Sequence, residues 1–183
     1  ALKSVTITGG SVKLGGDIAV LLHGLELHHR AGTHLYDGNA KIPSMGFGDG
    51  VPSIITCDDF DVTIVGNVNA GVATATFTGK KNYTGTVEKE FAIGKATYDM
   101  SGVQWNYAGE FMYDGTMKTV SVQGLPTGVT VTSYTGNVAA EPGTYTAHAT
   151  LSYDAANYNE PTIVDLTWII TSSEGFQLRE IFN

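Results

Sequence analysis

Apolar and polar residues alternate along most of the chain, which predicts half-buried β-strands, and no stretch has a helical period. The strongest example is the segment 144–151, where one predicted face carries Tyr145, Ala147, Ala149 and Leu151. The last strand of the second half repeats the alternation, with one face formed by Val164, Leu166, Trp168 and Ile170. Turn residues such as Gly, Asp and Asn separate these strands, so the pattern predicts an all-β fold.

An internal repeat organises the predicted strands. Four segments of the first half recur in the second, the first and last of them 77 residues later: Tyr36-Asp37-Gly38 as Tyr113-Asp114-Gly115, Gly66-Asn67-Val68 as Gly136-Asn137-Val138, Asn82-Tyr83 as Asn157-Tyr158, and Phe91-Ala92-Ile93 as Trp168-Ile169-Ile170. Gly71 heads a strand with Ala73, Ala75 and Phe77 inward, as Gly143 does in the second copy. The repeat predicts a domain over residues 1–94, with an atypical N-terminal segment, and a domain over residues 95–171. A C-terminal tail follows over residues 172–183, and the short junction predicts a semi-rigid rod.

The segments FAIGKATYDMSGV (residues 91–103) and GKKNYTGT (residues 79–86) resemble parts of the YDG or MBG-type immunoglobulin-like repeats of large bacterial surface proteins. The second half is similar to these repeats from Tyr113-Asp114-Gly115 to Trp168-Ile169-Ile170. This resemblance covers residues 36–93 and 95–171. It implies two tandem immunoglobulin-like antiparallel β-sandwich domains, and it implies a fold more than a function. The segments 15–34, 45–55 and 172–183 depart from the repeats.

The charge balance argues against a nucleic-acid partner. The chain has 10 Lys and Arg against 18 Asp and Glu, for a formal net charge of −8, and no basic cluster. Proteins bind nucleic acid largely by neutralising phosphates with basic side chains. We therefore expect no nucleic-acid partner. No run is long and apolar enough to predict membrane insertion.

The sequence contains no pattern typical of an enzyme. It lacks a nucleophile elbow, a phosphate loop and a dinucleotide fingerprint. The single cysteine, Cys57, follows the apolar run Ile54-Ile55-Thr56, which predicts a buried, inert thiol and excludes an intrachain disulfide. We therefore predict no catalytic residue, no cofactor and no enzymatic activity.

Two groups of residues are candidate metal ligands. Imidazole is a common zinc ligand, and four of the five histidines cluster at His23, His28, His29 and His34. Carboxylates suit calcium, and Asp58, Asp59 and Asp61 lie together in the sequence. The histidine spacing does not match a helical zinc motif, and the acids lack the EF-hand pattern. We therefore favour a polar edge strand and loop for the histidines, and exposed acids that discourage edge pairing.

Two further features have a chemical and a structural interpretation. Some surface immunoglobulin-like domains form a Lys–Asn isopeptide bond, for which Lys13 and Lys118 are candidates, although no buried carboxylate partner can be located. Trp105 and Tyr107 are candidates for stacking on sugar rings. Aromatic residues near a domain boundary more often pack into the core, so we favour packing for this pair.

Taken together, these patterns predict a non-catalytic structural or adhesive display module on a bacterial cell surface, with an extracellular location. Its partner would be a protein or glycan ligand, or neighbouring repeats. A phage virion decoration protein, on the particle exterior and in contact with other virion proteins, is one alternative. A carbohydrate-binding module of an extracellular glycan-degrading protein is another. Recognition would reside in loops over residues 22–34, 45–53 and 135–142.

Overall fold

A computed structural model describes residues 16–18, 25–28, 34–47 and 56–172 of the chain. These residues form short and long β-strands, and the predicted all-β class is confirmed. The chain divides into two compact units, unit 1 (Ala1–Ala96) and unit 2 (Thr97–Asn183). The candidate residues His23, His29 and Lys13, and the tail from residue 173, lie outside the described residues.

Unit 1 is built around a three-stranded antiparallel sheet. The described strands are β1 (Gly16–Asp17), β2 (Leu25–His28), β3 (Ser44–Phe47), β4 (Phe60–Val65), β5 (Gly71–Gly79), β6 (Tyr83–Thr84) and β7 (Thr86–Ile93). The central sheet has the order β4-β5-β7, while β2 pairs antiparallel with β3 and β1 pairs parallel with β6. A parallel bridge joins Leu35 to Gly94, directly after β7.

The core of unit 1 lies on the inward face of this sheet. Ala73, Ala75 and Phe77 alternate along β5 and are fully buried, as predicted from the sequence. They belong to two apolar clusters, completed by Ile18, Leu25, Phe60 and Tyr83 in one and by Phe91 and Ile93 in the other. The intervening threonines face outward, so the two-residue period of a strand decides which side chains are buried.

Unit 2 contains a four-stranded sheet. Its strands are β8 (Gln104–Trp105), β9 (Phe111–Met112), β10 (Lys118–Thr119), β11 (Val122–Gln123), β12 (Thr130–Thr135), β13 (Val138–Ala139), β14 (Gly143–Ser152) and β15 (Leu166–Thr171). The sheet has the order β12-β14-β15-β9, in which β15 and β9 are parallel. The pairs β8–β11 and β10–β13 are antiparallel.

Trp168 is the centre of the core of unit 2. Its side chain is fully buried together with those of Val120, Ala147 and Ile170. The indole N–H donates a hydrogen bond of 2.9 Å to the Gly136 carbonyl, so the one polar atom of this side chain is satisfied inside the core. Phe111 packs edge-on against the indole at 5.9 Å between ring centroids.

The Tyr-Asp-Gly segments form similar turns in the two units. Asp37 accepts a hydrogen bond of 2.8 Å from the Asn39 N–H and pairs with Lys41 at 2.6 Å. Asp114 accepts one of 2.9 Å from the Thr116 N–H and pairs with Lys118 at 2.7 Å. Each lysine side chain is largely buried, with 9% and 16% of its surface exposed, so the carboxylate compensates a charge that has lost most of its water.

Three sequence-based expectations are wrong. Val164 was predicted on the inward face of the last strand, but β15 begins at Leu166 and Val164 is 85% exposed. Cys57 is exposed in a 3-10 turn (Cys57–Asp59) and is not a buried thiol. This turn forms because Thr56 and Asp59 cap each other, with the Thr56 N–H donating to the Asp59 carboxylate at 2.9 Å. The segments predicted as recognition loops also contain strands: β2 lies within 22–34, β3 overlaps the start of 45–53, and β13 lies within 135–142.

Candidate functional site

The structure places two of the four candidate histidines. His28 is the last residue of β2, opposite Ser44. His34 is half-buried, and its ring packs edge-on against Phe91 at 5.7 Å between centroids. The His34 carbonyl also accepts a hydrogen bond of 2.8 Å from the Gly94 N–H. His34 therefore helps to hold its segment against the end of β7.

Two of the three candidate calcium ligands, Asp59 and Asp61, have carboxylates that are engaged with protein groups. Asp59 caps the 3-10 turn and lies 3.7 Å from the Lys81 ammonium. The hydrogen bond from the Thr56 N–H keeps the pKa of Asp59 below its usual value. Asp61, exposed on β4, pairs with Lys80 at 2.6 Å, and this contact raises the pKa of Lys80. Asp58 lies in the same turn with its backbone N–H donated to the Thr56 hydroxyl.

Within the described ranges, no group of three or more His, Cys, Asp or Glu side chains is arranged to hold a metal ion. The isopeptide candidate Lys118 is also engaged, because its ammonium group contacts Asp114 and the Thr116 hydroxyl at 2.7 and 3.0 Å. These contacts hold the pKa of Asp114 far below its usual value. The Lys118 ammonium group and the Asp114 carboxylate therefore form a salt bridge within the Tyr-Asp-Gly turn.

Trp105 and Tyr107 line an open groove of unit 2 with a volume of about 450 Å³. Its other walls are mainly aliphatic and include Val103, Ile163 and Val164. The polar atoms of both aromatic residues are used within the unit. The Trp105 indole N–H donates to the Val164 carbonyl at 3.0 Å, and the Tyr107 hydroxyl accepts from the Ile169 N–H at 2.9 Å. Both rings also pack against the core cluster of Trp168.

Sequence reasoning missed an apolar slot in unit 1. It lies between β3 and β4 and has a volume of about 350 Å³. Leu27, Ala75 and Phe77 lie at its base with the buried Pro43, and less buried apolar side chains line it: Ile42, Met45, Val62 and Ile64. Asn67 lies at the same slot, and its amide N–H donates to the Lys41 carbonyl at 2.9 Å. A single sequence does not show this slot, since its two walls come from segments that are not paired with each other.

A histidine–carboxylate pair on unit 2 was also missed. His148 Nδ1 lies 2.7 Å from Asp165 Oδ1, and both side chains are about half exposed. His148 also lines a small pocket of about 200 Å³ with Tyr153 and Glu160. The pair joins β14 to the segment just before β15, where the two strands are no longer hydrogen-bonded. The pair therefore links the second half of β14 to the segment that precedes β15.

In the part of the chain that the structure describes, no helix is long and apolar enough to cross a membrane. Comparison with protein-family models, with curated proteins and with solved structures found no match to the chain. The geometry of the two units is therefore the basis for any functional assignment.

Proposed function

We propose that the chain consists of two tandem immunoglobulin-like modules with a non-catalytic display or adhesive role on a bacterial cell surface. The observation that carries this proposal is the pairing of the last long strand of each unit. In both units it pairs antiparallel with one long strand. At its end it meets in parallel the segment just before the Tyr-Asp-Gly turn, through a single bridge at Gly94 in unit 1 and through β9 in unit 2. This arrangement is compatible with a sandwich in which the segment before the Tyr-Asp-Gly turn adds to the sheet of the last strand.

The registers of the two units support a common module. In unit 1, Gly71 lies opposite Ile93, and Leu35 forms its parallel bridge with Gly94. In unit 2, Gly143 lies opposite Ile170, and Met112 pairs with Thr171 in parallel. These paired residues are positions that the internal repeat matches, or positions one residue beyond the matched segments. Equivalent residues therefore have equivalent partners in the two units.

The engagement of three carboxylates among the described residues supports a non-catalytic role. Asp59, Asp61 and Asp114 are each paired with a lysine or hold a turn. Catalytic acids and bases instead have pKa values tuned toward the working pH. The pKa values of Asp59 and Asp114 are moved away from neutral pH by their hydrogen bonds. These carboxylates are accordingly suited to holding turns.

Antibody accessibility tests this proposal. Antibodies raised against the folded chain should label intact cells of the source bacterium without permeabilisation. Labelling of purified phage particles, with intact cells unlabelled, would favour the virion alternative and contradict the cell-surface proposal. Labelling only after lysis would contradict both locations.

A carbohydrate-binding role is a second candidate, favoured by the position of Trp105 and Tyr107 in one open groove. A glycan array with the intact chain, and with the variant Trp105→Ala as comparison, tests this role. Saturable binding that the variant loses would support it. Equal signals from both proteins, or no signal, would leave the aromatic pair with its packing role alone.

A further inference from the structure

The slot between β3 and β4 exposes large apolar side chains to solvent. Ile42 is 74% exposed, Met45 39% and Val62 38%. Below them, the Phe77 ring is fully buried and packs edge-on against Phe60 at 5.6 Å between centroids. Solvent-exposed apolar surface that forms a concave slot, with a packed apolar base, has the character of a ligand site.

The corresponding region of unit 2 shows what fills such a slot. Met45 lies ten residues after the parallel bridge at Leu35 and pairs with Leu27. Val122 lies ten residues after Met112 and pairs with Trp105. Trp105 in unit 2 therefore occupies the position of Leu27 in unit 1.

The wall of the slot formed by β4 also has a smaller side chain in unit 1 than the corresponding strand has in unit 2. Phe77 lies six residues after Gly71 and pairs with Val62. Ala149 lies six residues after Gly143 and pairs with Tyr134. The Tyr134 position is thus taken by Val62 in unit 1.

In unit 2 these two aromatic rings close the space between the strands. Trp105 and Tyr134 pack with ring centroids 5.9 Å apart. The Tyr134 hydroxyl also accepts a hydrogen bond of 3.0 Å from the Val122 N–H, across to the neighbouring strand. In unit 1 a leucine and a valine occupy these positions, and no described side chain fills the slot.

We propose that the slot of unit 1 binds a small molecule through an aromatic ring. This inference goes beyond the display role, and it does not depend on the location of the protein. A cavity of roughly 150 Å³ lined by aliphatic and aromatic residues is large enough for benzene. The slot, at about 350 Å³, has room for a two-ring system such as indole. The ligand class is therefore an uncharged, mainly apolar aromatic compound.

Methionine methyl groups give a direct test, because the four methionines of the chain include one in the slot and one in the groove of unit 2. Met45 lines the slot, Met100 lines the groove, and Met112 and Met117 are exposed elsewhere on unit 2. In the full chain labelled with ¹³C-methyl methionine, indole should shift the Met45 signal saturably, with a Kd on the order of 1 mM. The signals of Met112 and Met117 should stay in place.

Two variants on β4 make the test specific. Val62→Tyr places in unit 1 the ring that closes unit 2, and it should weaken indole binding by at least about tenfold. Thr63→Tyr adds the same ring one residue along, on the outward face opposite Thr76, and should leave the Met45 titration unchanged. Val62→Ala widens the slot and should retain indole binding. If it does, the loss of binding in Val62→Tyr can be assigned to the added ring and not to misfolding caused by replacing Val62.

The proposal is overturned if indole leaves the Met45 signal unshifted up to its solubility limit. A saturable shift of Met100 without Met45 would place the ligand in the groove of unit 2 and would also overturn it. Equal binding by the Val62→Tyr and Thr63→Tyr variants would show that indole binds at another surface of unit 1.

Discussion

At the residue scale, Trp168 is the largest fully buried side chain among the described residues. Replacing it with alanine removes the indole from the core and leaves the Gly136 carbonyl without its 2.9 Å hydrogen bond. We expect Trp168→Ala to lower the free energy of unfolding of unit 2 by about 3–5 kcal/mol.

Urea denaturation of the full chain, followed by tryptophan fluorescence, measures this loss. The chain has two tryptophans, Trp105 and Trp168, so Trp105 remains as the reporter of unit 2 in the variant. Val164→Ala is the matched control, because Val164 is 85% exposed, and it should change stability by less than about 0.5 kcal/mol. Losses of equal size in both variants would contradict the central position of Trp168.

The pH dependence of unit 2 depends on Asp114. Hydrogen bonds from Lys118 and Thr116 depress the pKa of this carboxyl in the folded protein, relative to about 3.9 in an unfolded chain. A depressed folded-state pKa contributes stability above about pH 4, and this stability is lost as the pH falls through the folded value. Asp114→Asn should therefore have a lower urea midpoint than the natural chain at pH 6.

The same variant should lose less of its stability between pH 6 and pH 2.5, because the group that titrates has been removed. Urea midpoints at several pH values, read from tryptophan fluorescence, measure this difference. Lys118→Met removes the partner of Asp114 at 2.7 Å and should also reduce the pH dependence. Identical declines in the natural chain and in both variants would show that Asp114 does not contribute.

At the element scale, the turn between β12 and β13 requires a glycine. Gly136 has a φ of +64°, and a Cβ added there would overlap the Thr146 carbonyl. Gly115 has a similar φ of +75°, but nothing lies within 4 Å of its Cβ position. These two positions therefore separate backbone strain from steric overlap.

We expect Gly115→Ala to destabilise unit 2 by about 1–2 kcal/mol, the usual cost of a left-handed conformation for alanine. Gly136→Ala should cost clearly more, since β14 must also move away from the added methyl group. Urea unfolding monitored by tryptophan fluorescence compares the two variants. Equal costs would show that the turn can shift without disturbing β14.

The strands themselves were predictable because alternation is a local property. Ala73, Ala75 and Phe77 are buried as predicted, since successive side chains of a strand point to opposite faces. The start of a strand is harder to predict. Val164 continues the apolar alternation, but the backbone pairing of β14 with β15 ends at Leu166.

The slot and the His148–Asp165 pair were not predictable for a different reason. Val62 and Met45 lie 17 residues apart and on strands that do not pair, so no local pattern joins them. The exposed position of Cys57 depends on the capping contact between Thr56 and Asp59, which overrides the apolar run before it. Sites formed by contacts between distant segments can be recognised only from the three-dimensional structure.

At the scale of the whole molecule, each described apolar cluster draws its residues from one unit. The clusters of unit 1 include Phe77, Ala73 and Phe91, and the cluster of unit 2 is centred on Trp168. Mutational effects at sites without shared contacts generally add. A change in one core should therefore leave the stability of the other core unaltered.

Phe77→Ala tests this independence. Phe77 is fully buried in unit 1, so its truncation should lower the stability of that unit by about 3–5 kcal/mol. Because both tryptophans lie in unit 2, their fluorescence should report an unchanged urea midpoint, while far-ultraviolet circular dichroism shows an additional, earlier transition. Thr76→Ala, at a neighbouring position of β5 that pairs with Thr63 and Glu88, is the control for an outward-facing change. A fluorescence midpoint that falls together with the early transition would mean that the two units unfold as one cooperative body, and the proposal of two separate modules would then fail.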